Sequence, residues 1–135
     1  MKPALLGAVA VVVSGLAVGC HDPLRTAPDQ SFVFHVSNIA APATVAPGAP
    51  LSVVLTAVSG GCARFDRIET RKSASEASIT VWGVNPAIGN PGMGCTADIR
   101  NELHTVTFDP PFAASFTVSV NRPREAPLTA TVQVQ

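Results

Sequence analysis

Near the carboxyl end, the runs FTVSV (116–120) and LTATVQV (128–134) alternate apolar and polar residues without a break. Phe116, Val118 and Val120, then Leu128, Ala130, Val132 and Val134, stand against serine, threonine and glutamine. A period of two puts every apolar side chain of an extended segment on one face, so each run predicts a strand with one buried side. The intervening NRPREAP is charged and proline-containing, which predicts a hairpin connection.

The same period recurs upstream. SFVFHVSNI (31–39) aligns Phe32, Phe34 and Val36, and LSVVLTAV (51–58) follows the turn signal APGAP. ASITVWGV (77–84) puts Ile79 and Val81 on one face and Thr80 and Trp82 on the other, and HTVTFDP offers Val106 and Phe108. RFDRIETRK (64–72) is β-branched but charged, which predicts an edge strand, because Arg and Lys on an edge oppose pairing with other chains. With twelve prolines and ten glycines punctuating the chain and no long helical spacing after residue 30, the expectation is all-β, an antiparallel two-sheet sandwich of about seven strands. The 135 residues suffice for one such domain, placed at 31–135.

The amino end has a different character. Lys2 precedes an apolar run from Ala4 to Ala17, and the small residues Ala17 and Gly19 lead to Cys20. These are the parts of a secretory signal over 1–19. The run is interrupted by Ser14 and Gly15 and falls short of the roughly 20 apolar residues that span a bilayer. The stretch Leu16-Ala17-Val18-Gly19-Cys20 resembles the lipobox of bacterial lipoproteins, with Leu16 one place further out than is commonest. That resemblance implies a diacylglycerol on the Cys20 thiol, cleavage before it, and a bacterial cell-envelope protein anchored to a membrane. Two or three acyl chains give a durable anchor where one does not. Residues 20–30, ending in HDPLRTAPDQ, then form a tether whose last ten residues reach at most roughly 33 Å.

Cysteine arithmetic agrees with this. Three cysteines in an exported chain leave one over, the odd one stands at the processing site, and Cys62 and Cys95 remain as a disulfide pair. The segment PGAPLSVVLTAVSGGC followed by an aromatic, the second cysteine, a strand ending in DPP and the FTVSV strand resemble immunoglobulin-like domains of secreted bacterial lipoproteins. The likeness spans 31–135 and implies an immunoglobulin-like sandwich; such a fold hosts many functions and supplies none by itself.

Nine basic residues balance nine acidic ones, so no net field attracts nucleic acid. The chain holds no HExxH, no GxSxG and no calcium loop, and Gly92-Met93-Gly94 lacks the third glycine and acidic residue of a dinucleotide site. No catalytic residue and no cofactor is therefore expected. His35 and His104, near Asp98 or Asp109, define a metal-binding alternative without diagnostic spacing. Segment 85–102 is long for a compact domain, and long connections are often functional. Its Ile88 and Met93, together with Trp82, are the candidate partner-binding residues, and its DIRNEL is expected to make a short helical turn. The resulting expectation is a non-enzymatic binding, adhesion or assembly module for another envelope protein or a surface ligand. An inhibitor of extracytoplasmic proteases that presents the 85–102 loop is the other alternative.

Overall fold

The computed structural model describes residues 30–135; the leader at 1–19, Cys20 and the tether up to residue 29 lie outside the described residues. Nine strands follow in chain order: β1 (Gln30–Val33), β2 (Val36–Ala40), β3 (Thr44–Val45), β4 (Leu51–Gly60), β5 (Arg64–Lys72), β6 (Glu76–Asn85), β7 (Ile99–Phe108), β8 (Ser115–Val120) and β9 (Leu128–Val134). Among the described residues there is no helix. One sheet has three strands in the order β2-β4-β7; the other has six, with β6 bonded to β5 on one side and to β1 and β8 on the other, followed by β9 and β3.

The alternating residues do as their period requires. Leu51, Val53, Leu55 and Ala57 of β4 are buried against Ala77, Ile79 and Val81 of β6 and Phe116, Val118 and Val120 of β8, with Val106, Phe108 and Val132 completing one core between the sheets. Each fully buried Val, Leu, Ile or Phe contributes about 1.5–3 kcal/mol relative to an exposed side chain. The β8–β9 hairpin forms with Val120 opposite Leu128 and Phe116 opposite Val132. β5 pairs only with β6, as an edge strand.

The expected first strand is two. Residues 30–33 pair with β6 and residues 36–40 pair with β4, so the chain changes sheets at Phe34-His35. The Phe34 N–H donates to the Val81 carbonyl (2.8 Å) in one sheet, and the His35 carbonyl accepts from the Val58 N–H (2.9 Å) in the other. The Phe34 ring enters the core over Gly83, where a Cβ would run into it. A glycine is required there by close approach, not by backbone conformation.

Four further expectations need correction. The sheets are not wholly antiparallel: β6–β8 and β3–β9 are parallel. Between β6 and β8 the chain reverses through β7 in the opposite sheet and so returns in its original direction, the crossover that parallel neighbours need. DIRNEL makes no helical turn, since Ile99–Leu103 belongs to β7 and pairs residue for residue with Thr56–Gly60 of β4. Gln30, assigned to the tether, is the first residue of β1. The strand count rises from seven to nine through the divided first strand and the two-residue β3.

Candidate functional site

Cys62 and Cys95 are bonded, with their Cα atoms 5.1 Å apart and 33 positions between them in sequence. The bond clamps the β4–β5 turn to the β6–β7 connection at one end of the sandwich. Gly61, at φ +61°, makes the turn tight enough to sit against Thr96 and Cys95. With Ile99–Glu102 in β7, the connection itself runs only from 86 to 98. It folds into successive turns, with N–H groups of Ile88, Asn90 and Met93 donating to carbonyls of Asn85, Ala87 and Asn90, each at 3.2 Å. The Asn85 side-chain oxygen accepts from the Ala87 N–H at 2.9 Å, and the Asn90 amide donates to Pro86 O at 2.5 Å.

Beneath this clamp the inward faces of β4 and β7 turn polar. The buried Ser59 hydroxyl donates to Glu102 Oε1 at 2.5 Å. His104 Nε2 lies 3.6 Å from Glu102 Oε2, buried without a hydrogen-bond partner, while its ring stacks on Phe65 of β5 with centroids 4.1 Å apart. Asp98 accepts from the Thr96 hydroxyl and bridges Arg100 at 2.5 Å. Its carboxyl is held below its ordinary value of 3.8, first by Thr96 and then by Arg100, against an opposing desolvation. Ser59, Cys62, Arg64, Asp98, Arg100 and Glu102 line a hollow of about 360 Å³. The Glu102 carboxylate stands between hydroxyl and imidazole, so Ser59 gives its hydrogen bond to the acid and not to His104. This is the wrong order for a base-activated nucleophile.

The candidate partner-binding residues fall in two places. Ile88 and Met93 share the clamped connection and are 42% and 43% exposed. β7 adds two that the sequence reading missed, Ile99 at 78% and Leu103 at 72%. These four are the exposed large apolar side chains among the described residues, and all lie between positions 88 and 103. Alternation of Ile99 and Leu103 with Arg100, Glu102 and His104 was the available signal for a strand with an apolar outer row. Around Ile99 and Leu103, the outer face of the three-stranded sheet carries Ser52, Val54, Thr56 and Val58 from β4 and Asn101, Thr105 and Thr107 from β7, with no charged side chain on that face of those strands.

Trp82 is elsewhere. It faces outward from β6, half-buried under the Arg67 guanidinium of β5, which lies 5.0 Å from its ring centroid. Arg67 also bonds Glu69 (3.0 Å) and Asp66 (2.5 Å). The Glu69 carboxyl is held below its ordinary 4.5 by Arg67 first and by the Trp82 N–H second, the indole facing it without reaching hydrogen-bond geometry. Trp82 is thus a covered outer-face residue, with its contacts coming from β5.

The two histidines have different partners. His35 Nδ1 lies 3.7 Å from Glu125, which Arg122 also bridges at 2.6 Å, whereas His104 is engaged by Phe65 and Glu102. Among the described residues no group of three or more His, Cys, Asp or Glu side chains is placed to hold a metal ion. No family model, characterised protein or solved structure matches the chain.

Proposed function

We propose that this is an exported, lipid-anchored protein of the bacterial cell envelope whose domain works by binding a macromolecular partner and not by catalysis. The observation that carries the binding reading is the concentration of exposed apolar side chains, Ile88, Met93, Ile99 and Leu103, in one stretch clamped by a disulfide. Apolar surface held in a fixed shape loses little further freedom on docking, which favours association. The Cys62–Cys95 bond supports an oxidising compartment, and Ala17-Val18-Gly19-Cys20 supports lipidation of Cys20. The immunoglobulin-like class belongs to the same proposal. A first segment shared between facing sheets, followed by a short β3 that pairs parallel to the last strand, supports it, while the parallel β6–β8 pair departs from that pattern.

Two measurements test the reading. Cys20→Ser is expected to move the domain from the membrane fraction to the soluble exported fraction, and unchanged membrane retention would refute the anchor. A photo-crosslinking residue at Met93 is expected to capture a partner in intact cells, with the same residue at exposed Thr131 of β9 as the control. Equal capture at the two positions would remove the contact role of 88–103.

A further inference from the structure

We infer that β7 is a self-association edge, through which two copies of this chain pair antiparallel about a two-fold axis at Asn101 and join their three-stranded sheets into one.

β7 bonds only β4, over ten consecutive pairs with no register shift. The other open edges are shorter or interrupted. β1 has four residues, β2 has five and a bulge after Val36, and β3 has two. β5 is bulged between Phe65 and Arg67 and covered with charge. Bulges, short length and charge are the devices that keep edges from pairing. β7 is long and regular, and its charged residues Arg100 and Glu102 lie on the inward face.

Its main chain presents the right groups. The Gly61 N–H donates to the Asp98 carbonyl (3.2 Å), continuing the ladder in which Gly60 stands opposite Ile99. Main-chain groups in an antiparallel ladder alternate between the two sides. Arg100, Glu102 and His104 therefore turn theirs toward β4, while Ile99, Asn101, Leu103 and Thr105 hold N–H and C=O groups on the open side.

The side chains then choose the partner and the register. About Asn101 the sequence is Asp98-Ile99-Arg100-Asn101-Glu102-Leu103-His104. In an antiparallel pair centred there, residues equally distant from Asn101 come opposite each other. Ile99 meets Leu103 of the second copy, joining the two most exposed large apolar side chains of the described residues. Arg100 meets Glu102, and Asp98 meets His104. These charged positions are the non-hydrogen-bonded pairs of the new ladder, where opposing side chains approach most closely. Each contact occurs twice because the axis is two-fold.

Neighbouring registers are opposed. Centring on Arg100 sets Arg100 against itself and Asp98 against Glu102. Centring on Glu102 sets Glu102 against itself and Arg100 against His104. Centring on Leu103 leaves Arg100 facing Val106. The alternating charges discourage an arbitrary strand yet match a second copy in one alignment, which is how specificity by repulsion operates. Arg100 already bridges Asp98, but its side chain is 73% exposed and carries further donors for Glu102 of the second copy.

Disulfide trapping in the full-length exported protein tests this. Asn101→Cys places the new thiols on the axis, at a Cα separation of about 5.5 Å that a disulfide accepts. A covalent dimer is expected on a non-reducing gel, above any background from the unsubstituted chain. Thr105→Cys comes opposite Ala97 and is expected to trap at least about tenfold less. Adding Arg100→Glu to the Asn101→Cys chain is expected to lower trapping about tenfold, and adding Glu102→Arg as well to restore it, the effect of two ion pairs reversed and rebuilt. Leu103→Lys, at an exposed position that does not test folding, is expected to lower trapping too. Equal trapping at 101 and 105, an Asn101→Cys chain that stays monomeric or captures other proteins instead, or indifference to Leu103→Lys would overturn the pairing. The inference rests on 88–103 being the contact stretch. Loss of trapping with partner capture at Met93 intact would remove self-pairing alone.

Discussion

Strands β5 and β7 each close one sheet and are nearly equal in length, nine residues against ten, but they present opposite surfaces. On β5 the outer row is Arg67, Glu69 and Arg71, the ladder is broken by a bulge, and Arg67 lies over the indole of Trp82. On β7 the outer row is Ile99, Asn101, Leu103, Thr105 and Thr107, the ladder is unbroken, and two large apolar side chains stand in solvent. Both sheets draw on the same core, so packing does not account for the difference. Covering a tryptophan with a cation hides apolar surface, whereas leaving Ile99 and Leu103 bare keeps it available.

The largest expected effect lies at the residue that ties the two sheets together. Phe34→Ala removes a buried ring where the chain crosses between them and is expected to cost about 3–5 kcal/mol in a denaturant titration, lowering both sheets alike. Loss confined to one sheet would contradict a shared core. Replacing Cys62 and Cys95 with serine opens a 33-residue closure and is expected to cost roughly 3–4 kcal/mol. In hydrogen exchange the start of β7 should lose protection before β5 does. Ser59→Ala deletes a 2.5 Å hydrogen bond to Glu102 and is expected to cost about 1–2 kcal/mol, the change again centred on β7.

Smaller effects sharpen the contrast on the β5 side. Arg67→Ala should red-shift Trp82 fluorescence by admitting water to the indole, and should raise the Glu69 pKa toward 4.5, since Arg67 is the main cause of its depression. Glu69 and Asp98 both have folded values below the ordinary ones, so their contribution to stability is complete above about pH 5 and is lost as pH falls below 4.5 and 3.8 toward the depressed values. The Glu69 and Asp98 side chains are 55% and 34% exposed, which keeps that contribution small. Titration followed by carboxyl NMR should find both midpoints low, with Thr96→Val raising that of Asp98 alone.

The hairpin of β8 and β9 was legible because its whole signal is local: alternation on both arms and a turn between them. The edge position of β5 was legible for the same reason. What local pattern could not express was a change of neighbour. Phe32, Phe34 and Val36 keep one period through the crossing, since a side chain that points into the core from either sheet occupies the same alternation. DIRNEL failed differently. Asn101, Glu102 and Leu103 have little preference for strands, and it is the pairing of β7 with β4 that extends them, a tertiary effect that overrides propensity. The site suffered with it, because reading those residues as a turn hid Ile99 and Leu103. The Cys62–Cys95 bond was found by counting, whereas the meeting of Ser59, Glu102 and His104 depends on a register that no spacing announces.

Phe34 also governs how the domain bears load. A pull applied at Gln30 is carried first by the four rungs that β1 shares with β6. Behind them stands the Phe34 ring wedged over Gly83, its residue's main-chain N–H donating to the Val81 carbonyl. The rungs can break in succession while the wedge holds, so a tug on the amino end lengthens the molecule by a few residues before it threatens the interior.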